Sequence, residues 1–82
     1  MTVRAAADGG IELVGACPSG DAEALLQLLL AHPGAIVDWR ECRAAHTAVV
    51  QVLIVARPDL RGPPADARLR DWVAPAITYS AE

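Results

Sequence analysis

The stretch VDWRECRAAHTAVVQVLIVA, Val37 to Ala56, crowds Asp38, Cys42, His46 and Thr47 into one short segment. Those residue types could support several kinds of chemistry. With Cys17 and His32 from elsewhere in the chain, Cys42 and His46 make a conceivable Cys₂His₂ zinc set. Each cysteine stands alone, however, without the paired spacing that zinc sites use, so no metal is expected. Asp38, Cys42 and His46 could form an orienter, nucleophile and base. No recognisable signature surrounds Cys42, and the chain is too short to build much of a substrate cleft, so no catalytic residue, metal or cofactor is expected. The structural expectation is a semi-buried Cys42 beside a capping His46. Asp38 closes an expected strand and can accept N–H bonds from the turn that follows. Thr47 stands at an expected helix start, where its hydroxyl can cap free N–H groups. A phosphate would also be tolerated at that place, because helix N-termini attract anions. His32, beside Pro33, suits a helix C-terminus.

Composition narrows the classes further. The chain has 82 residues, 54% of them hydrophobic, and a net charge of −3. That is one domain, expected to bury about 60–65% of its unfolded surface. Phe is absent, so Leu, Val, Ile and Ala must fill the core around Trp39, Trp72 and Tyr79. Small side chains bury little area each, and modest stability or self-association, such as a homodimer, is expected. All seven basic residues are Arg, and none are clustered. A mildly acidic chain of this kind is a poor binder of nucleic acid or membrane surface. No apolar run approaches the roughly 20 residues of a membrane span. Two isolated cysteines do not make a disulfide framework, and reduced thiols in a cytoplasmic setting are expected.

The elements that must position these residues follow from pattern. Thr2–Ala7 and Gly10–Ala16 read as a hairpin around Asp8-Gly9, the signature of a two-residue type I′ turn. PSGDAEALLQLLLAHPGA reads as a helix capped by Ser19, with Asp21 and Glu23 in its first turn. Its expected buried stripe is Ala22, Leu25, Leu26, Leu29 and Leu30. AIVDW reads as a short buried strand, followed by a polar turn. AVVQVLIVA is ambiguous, because its β-branched residues favour a strand. His46-Thr47 as a cap, and the alternation of strand and helix patterns, favour a covered helix. Only a very short edge strand fits near Leu60. PADARLRDWVAPAI reads as a last helix with Asp66 in its first turn, Leu69, Trp72 and Val73 on one face and Pro75 at its end. Residues 76–82 read as a tail.

The order hairpin, helix, strand ending Val37-Asp38-Trp39, polar turn, hydroxyl and apolar helix resembles a short, truncated version of the STAS domain. That domain is the fold of bacterial anti-sigma factor antagonists and of the cytoplasmic ends of sulfate transporters. His46-Thr47-Ala48-Val49-Val50 lies where the family carries Asp-Ser/Thr-Ser/Ala/Thr-Gly-Leu, and the resemblance covers approximately Ile11 to Ala56. His46 replaces the acidic residue, Val49 the glycine, and only Thr47 of the two adjacent hydroxyl positions remains.

The resemblance implies a small α/β domain with a mixed sheet of three to four strands and about three helices mainly on one face. It implies a non-enzymatic protein–protein interaction module in bacterial regulation or transport-complex assembly. The partner would be a regulatory kinase, an anti-sigma factor or a transporter component. The expected contact residues are Asp38, Arg43, His46 and Thr47, around the loop and helix start at residues 40–50. A phosphorylation-controlled switch with Thr47 as acceptor is the alternative, and a small metal-binding or thiol protein a third.

Overall fold

The computed structural model describes residues 2–73 and is an α/β domain with one mixed four-stranded sheet. The elements are β1 (Val3–Ala5), β2 (Ile11–Cys17), α1 (Asp21–Ala31), β3 (Val37–Ala45), α2 (Thr47–Ala56) and β4 (Leu60–Arg61), then a helical turn of π type, Leu69–Val73. The strands lie in the order β1-β2-β3-β4. β1 runs antiparallel to β2, while β2, β3 and β4 are parallel neighbours.

This order dictates where the helices go. Both crossovers, β2-α1-β3 and β3-α2-β4, step the same way across the sheet. Parallel crossovers are right-handed, so both helices must lie on the same face. The buried residues agree: Val3, Ile11, Leu13, Val37, Trp39 and Cys42 meet Leu25 of α1, Val49 and Leu53 of α2, and Leu69. The mixed sheet with helices on one face, expected from the sequence, is therefore observed. The residues expected to end the last helix at Pro75, and the expected tail at 76–82, lie outside those described.

Local chemistry fixes the joints. The hairpin is not a two-residue type I′ turn. Ala6 N–H donates to Gly10 O at 2.8 Å and Gly9 N–H to Ala6 O at 3.1 Å. In this loop only Gly9 has positive φ, at 90°, whereas type I′ requires two such residues. A three-residue loop with the left-handed position at Gly9 results, and Asp8 Oδ1 holds Gly10 N–H at 2.9 Å. Ser19 does not cap α1; Gly20 occupies the cap position and no side chain bonds there.

β3 is longer than expected. The segment read as a polar turn after Trp39 continues as strand to Ala45. Against β2, the register slips twice: Glu12 pairs with Asp38 but Val14 with Glu41, and Gly15 with Cys42 but Ala16 with Ala44. β3 thus carries an extra residue at each slip, the second being Arg43. Such bulges break strict alternation and let Trp39 and Cys42, three positions apart, both reach the core.

The AVVQVLIVA segment is helical. His46 has extended backbone, and its ring Nδ1 accepts the Ala48 N–H at 3.1 Å. At the other end Arg57 adopts a left-handed conformation, φ 51°, and its N–H donates to Leu53 O. Capping and crossover geometry thus override β-branched propensity. β4 is the short edge strand expected near Leu60. Asp66 Oδ2 accepts the Leu69 N–H at 3.1 Å and so starts the last helical turn.

Candidate functional site

β3 separates the residues singled out in the sequence. Asp38 sits near its start, Arg43 at its second bulge, and His46-Thr47 beyond its end. Eight residues of strand at ~3.3 Å each put His46 roughly 25 Å from Asp38. The set therefore divides between two surfaces.

The first surface is the end of the sheet where β2 and β3 finish and α2 begins. His46 N–H donates to Cys17 O at 2.9 Å, tying the ends of the two strands together. His46 O accepts from Val49 N–H at 2.9 Å and Val50 N–H at 3.2 Å. With Nδ1 accepting from Ala48, the neutral ring carries its hydrogen on Nε2 and keeps it as a donor. His46, not Thr47, is thus the capping residue. Thr47 follows at the first helical position and is exposed. Its hydroxyl makes no hydrogen bond within the described residues. The first turn of α2 contains no acidic residue, so nothing there opposes the positive end of the helix dipole.

The second surface is the uncovered face of the sheet. One charged residue from each strand stands in register across it: Arg4 opposite Glu12, Glu12 opposite Asp38, Asp38 opposite Arg61. The row reads plus, minus, minus, plus. Two neighbouring carboxylates would repel across a sheet, and each is held by its own arginine. Arg4 Nε meets Glu12 Oε1 at 2.8 Å. Arg40 Nη2 meets Asp38 Oδ2 at 2.7 Å, while Asp38 Oδ1 accepts both Nε and the backbone N–H of Arg40 at 3.0 Å. The Arg40 side chain, more than any other group, holds the Asp38 carboxyl below the usual carboxylate range. Asp38 therefore does accept the N–H of a following residue, but it shapes a strand rather than a turn. Beside the row lies an open crevice of about 350 Å³ lined by Gly9, Gly10, Glu12, Asp38, Arg40 and Arg61. Arg43 lines a separate shallow groove with Val14, Gly15, Arg40 and Glu41.

The metal and thiol candidates are also separated. Cys17 and Cys42 are both buried free thiols, and Cys42 Sγ donates to Ala44 O at 3.4 Å. Burial pushes the Cys42 thiol up to about 12, with the Cys17 thiol adding to the effect. Burial also raises Cys17, and the nearby Asp21 carboxylate adds a smaller push. Neither thiol has the electropositive, accessible setting of a reactive cysteine. His32 caps α1 at the end of the domain where β3 begins, while His46 lies where β3 ends. Among the described residues no group of three or more His, Cys, Asp or Glu converges on a common point. No described helix is long and apolar enough to cross a membrane.

Two features escaped the sequence reading. The charged row across the open face was readable in principle from Arg4, Glu12 and Asp38, each next to a core residue. The second is apolar exposure on the helix layer. In α1 the buried side is Ala22, Leu25, Leu28 and Leu29, leaving Leu26 and Leu30 outward. In α2, expected to be covered all round, Ile54 and Val55 face solvent.

Comparison of the chain with family models, curated proteins and solved structures finds no significant match in any of the three.

Proposed function

We propose that the chain is a non-enzymatic, STAS-like protein–protein interaction module of bacterial regulation or transport-complex assembly, docking through the start of α2. The partner is a protein of the class that such modules serve: a regulatory kinase, an anti-sigma factor or a transporter component. The observation that carries this reading is the fixed, exposed start of α2. His46 is held at its N–H, carbonyl and ring nitrogen. It presents a ring donor beside the exposed hydroxyl of Thr47, which has no partner among the described residues. A surface preorganised in this way loses little freedom on binding. Arg43, two residues before Ala45, supplies a cationic contact on the adjoining strand.

Affinity capture from native lysate with matched variants tests the assignment. Thr47→Arg and Arg43→Glu alter exposed side chains and spare the His46 cap, so the fold is retained. A partner held by the wild-type chain is expected to be depleted at least about tenfold by either change, a loss of about 1.4 kcal/mol or more. Val55→Glu, at the other end of α2, is expected to leave that capture intact. Equal capture by all variants removes the surface assignment.

The second reading, a phosphorylation-controlled switch, is favoured by one specific observation. Thr47 is exposed at the first position of a helix whose first turn lacks acidic residues. A phosphate of about −1.5 to −2 charges there would meet the helix dipole favourably. Intact-mass measurement after incubation with candidate kinases is expected to show one phosphate, absent from Thr47→Ala. A wild-type chain that stays unmodified with every kinase rejects this reading.

A further inference from the structure

We propose that the C-terminal halves of α1 and α2 form a self-complementary face through which two copies of this chain pair about a two-fold axis. It lies at the opposite end of α2 from Thr47, about 15 Å away along the ten-residue helix, and does not depend on the docking role proposed there.

Three outward side chains carry the inference. Leu26 is 40% exposed, Leu30 68% and Val55 82%. These are positions where the outer face of a surface helix is ordinarily polar. Leu26 and Leu30 line an open groove of about 420 Å³ whose far wall is Ala56, with Arg57 and Asp59 beside it. Val55 immediately precedes Ala56, so a projecting apolar side chain and an apolar groove are neighbours. A two-fold interface requires that a residue contacting a patch be contacted by the same patch of the other copy. In the proposed pair each Val55 packs against Leu26 and Leu30 of the other copy.

Charge selects the occupant. α2 from Thr47 to Ala56 contains no ionisable side chain, and neither does α1 from Ala24 to Ala31. Two chains of net charge −3 can therefore approach here without like charges meeting at the centre. Arg57 and Asp59 have opposite signs, so the same rotation can set each against its opposite in the other copy. A strongly charged partner finds no complement on this face. A lipid surface finds a single arginine rather than the basic rim of an interfacial helix. A second copy presents the same uncharged apolar face and the same Arg57 and Asp59 of opposite sign.

The area sets the strength. The exposed parts of Leu26, Leu30, Ile54 and Val55 amount to on the order of 400 Å² of apolar surface per copy. A standard interface buries about 800 Å² per partner, so with its polar rim this face sits at the lower end of stable association. Dissociation in the range of roughly ten micromolar is expected.

Sedimentation equilibrium of the full chain, from about 1 to about 500 µM, tests the proposal. The wild-type chain is expected to pass from protomer to dimer mass across that range. Val55→Glu and Leu30→Glu replace exposed side chains, so the fold is retained, and circular dichroism checks this. Each is expected to raise the dissociation constant at least about tenfold. A wild-type chain that remains a protomer at every concentration overturns the proposal. So does a dimer that neither substitution weakens.

Discussion

Replacing Trp39 by Ala is expected to remove a large share of this protein's stability, whereas Trp39→Phe leaves most of it intact. Trp39 is 0% exposed on the covered face of β3. Among the described residues it is the largest fully buried side chain, surrounded by Val, Ile, Leu and Cys residues with Pro64 also buried. Removing a buried aromatic costs about 3–5 kcal/mol, because the surroundings close only partly over the cavity. A domain of this size has roughly 4–12 kcal/mol in total. The melting temperature of Trp39→Ala should therefore fall by more than about 12 °C. The Phe variant separates packing from polarity. The indole Nε1 is buried without a hydrogen-bond partner within the described residues, so no bond is lost on replacing it. Only the volume change remains, expected at under about 1.5 kcal/mol. The loop after β4 depends on the same ring: a methyl group at Gly62 would overlap Nε1 and lie 2.8 Å from Cδ1 of Trp39. Thermal melts of the two variants check the expectation. Equal destabilisation by Phe and Ala would mean that the indole N–H has a partner.

The second large effect is a loss of stability in alkali, set by the buried thiols. In the folded chain Cys42 titrates near 12, against 9.0 for a free thiol, and Cys17 is raised in the same direction. The unfolded chain therefore releases these protons first. Stability is fully present below pH 9 and falls as pH rises from there toward 12. Each thiol that stays protonated only in the fold contributes a slope of up to about 1.4 kcal/mol per pH unit. Unfolding free energies from urea titrations at pH 7 and pH 10.5 should differ by about 2 kcal/mol from Cys42 alone. The Cys42→Ala chain, less stable at pH 7 because of its cavity, should show a flatter dependence. The same burial makes the native thiols slow towards disulfide reagents at pH 8, with labelling limited by opening of the fold. Rapid labelling of both thiols in the native protein would contradict this account of the core.

Much of this architecture was legible because pattern and chemistry agreed. The helix over Asp21–Ala31 announced itself by leucine spacing, its early acids and the Pro33-Gly34 stop. The hairpin was announced by Asp8-Gly9, although the loop closes one residue wider. The edge strand at Leu60 and the acid that starts the last helical turn, Asp66, were also readable. β3 was misread past Trp39 because two causes coincide there. Arg40 and Glu41 face the uncovered side of the sheet and so look like a polar turn. The bulges, the second at Arg43, then break the alternation that would have revealed a strand. Leucine spacing alone could not tell which side of α1 is buried, since Leu25, Leu26, Leu28, Leu29 and Leu30 nearly surround it. Contact with the sheet chose Leu25, and Leu26 and Leu30 were left outward. Of the site, the start of α2 was legible from His46-Thr47, but the capping role fell to His46. The distance between Asp38 and that start was hidden by the same misread strand.

The start of α2 is the proposed contact surface. Hydrogen–deuterium exchange of the complex with a captured partner, compared with the free chain, tests it most directly. Protection is predicted at residues 43–50, where the amides of Ala48, Val49 and Val50 are already bonded to His46. Unchanged exchange is predicted across the open sheet face at Arg4, Glu12 and Arg61. Protection confined to that open face, or to the ends of α1 and α2 around Leu30 and Arg57, would contradict it.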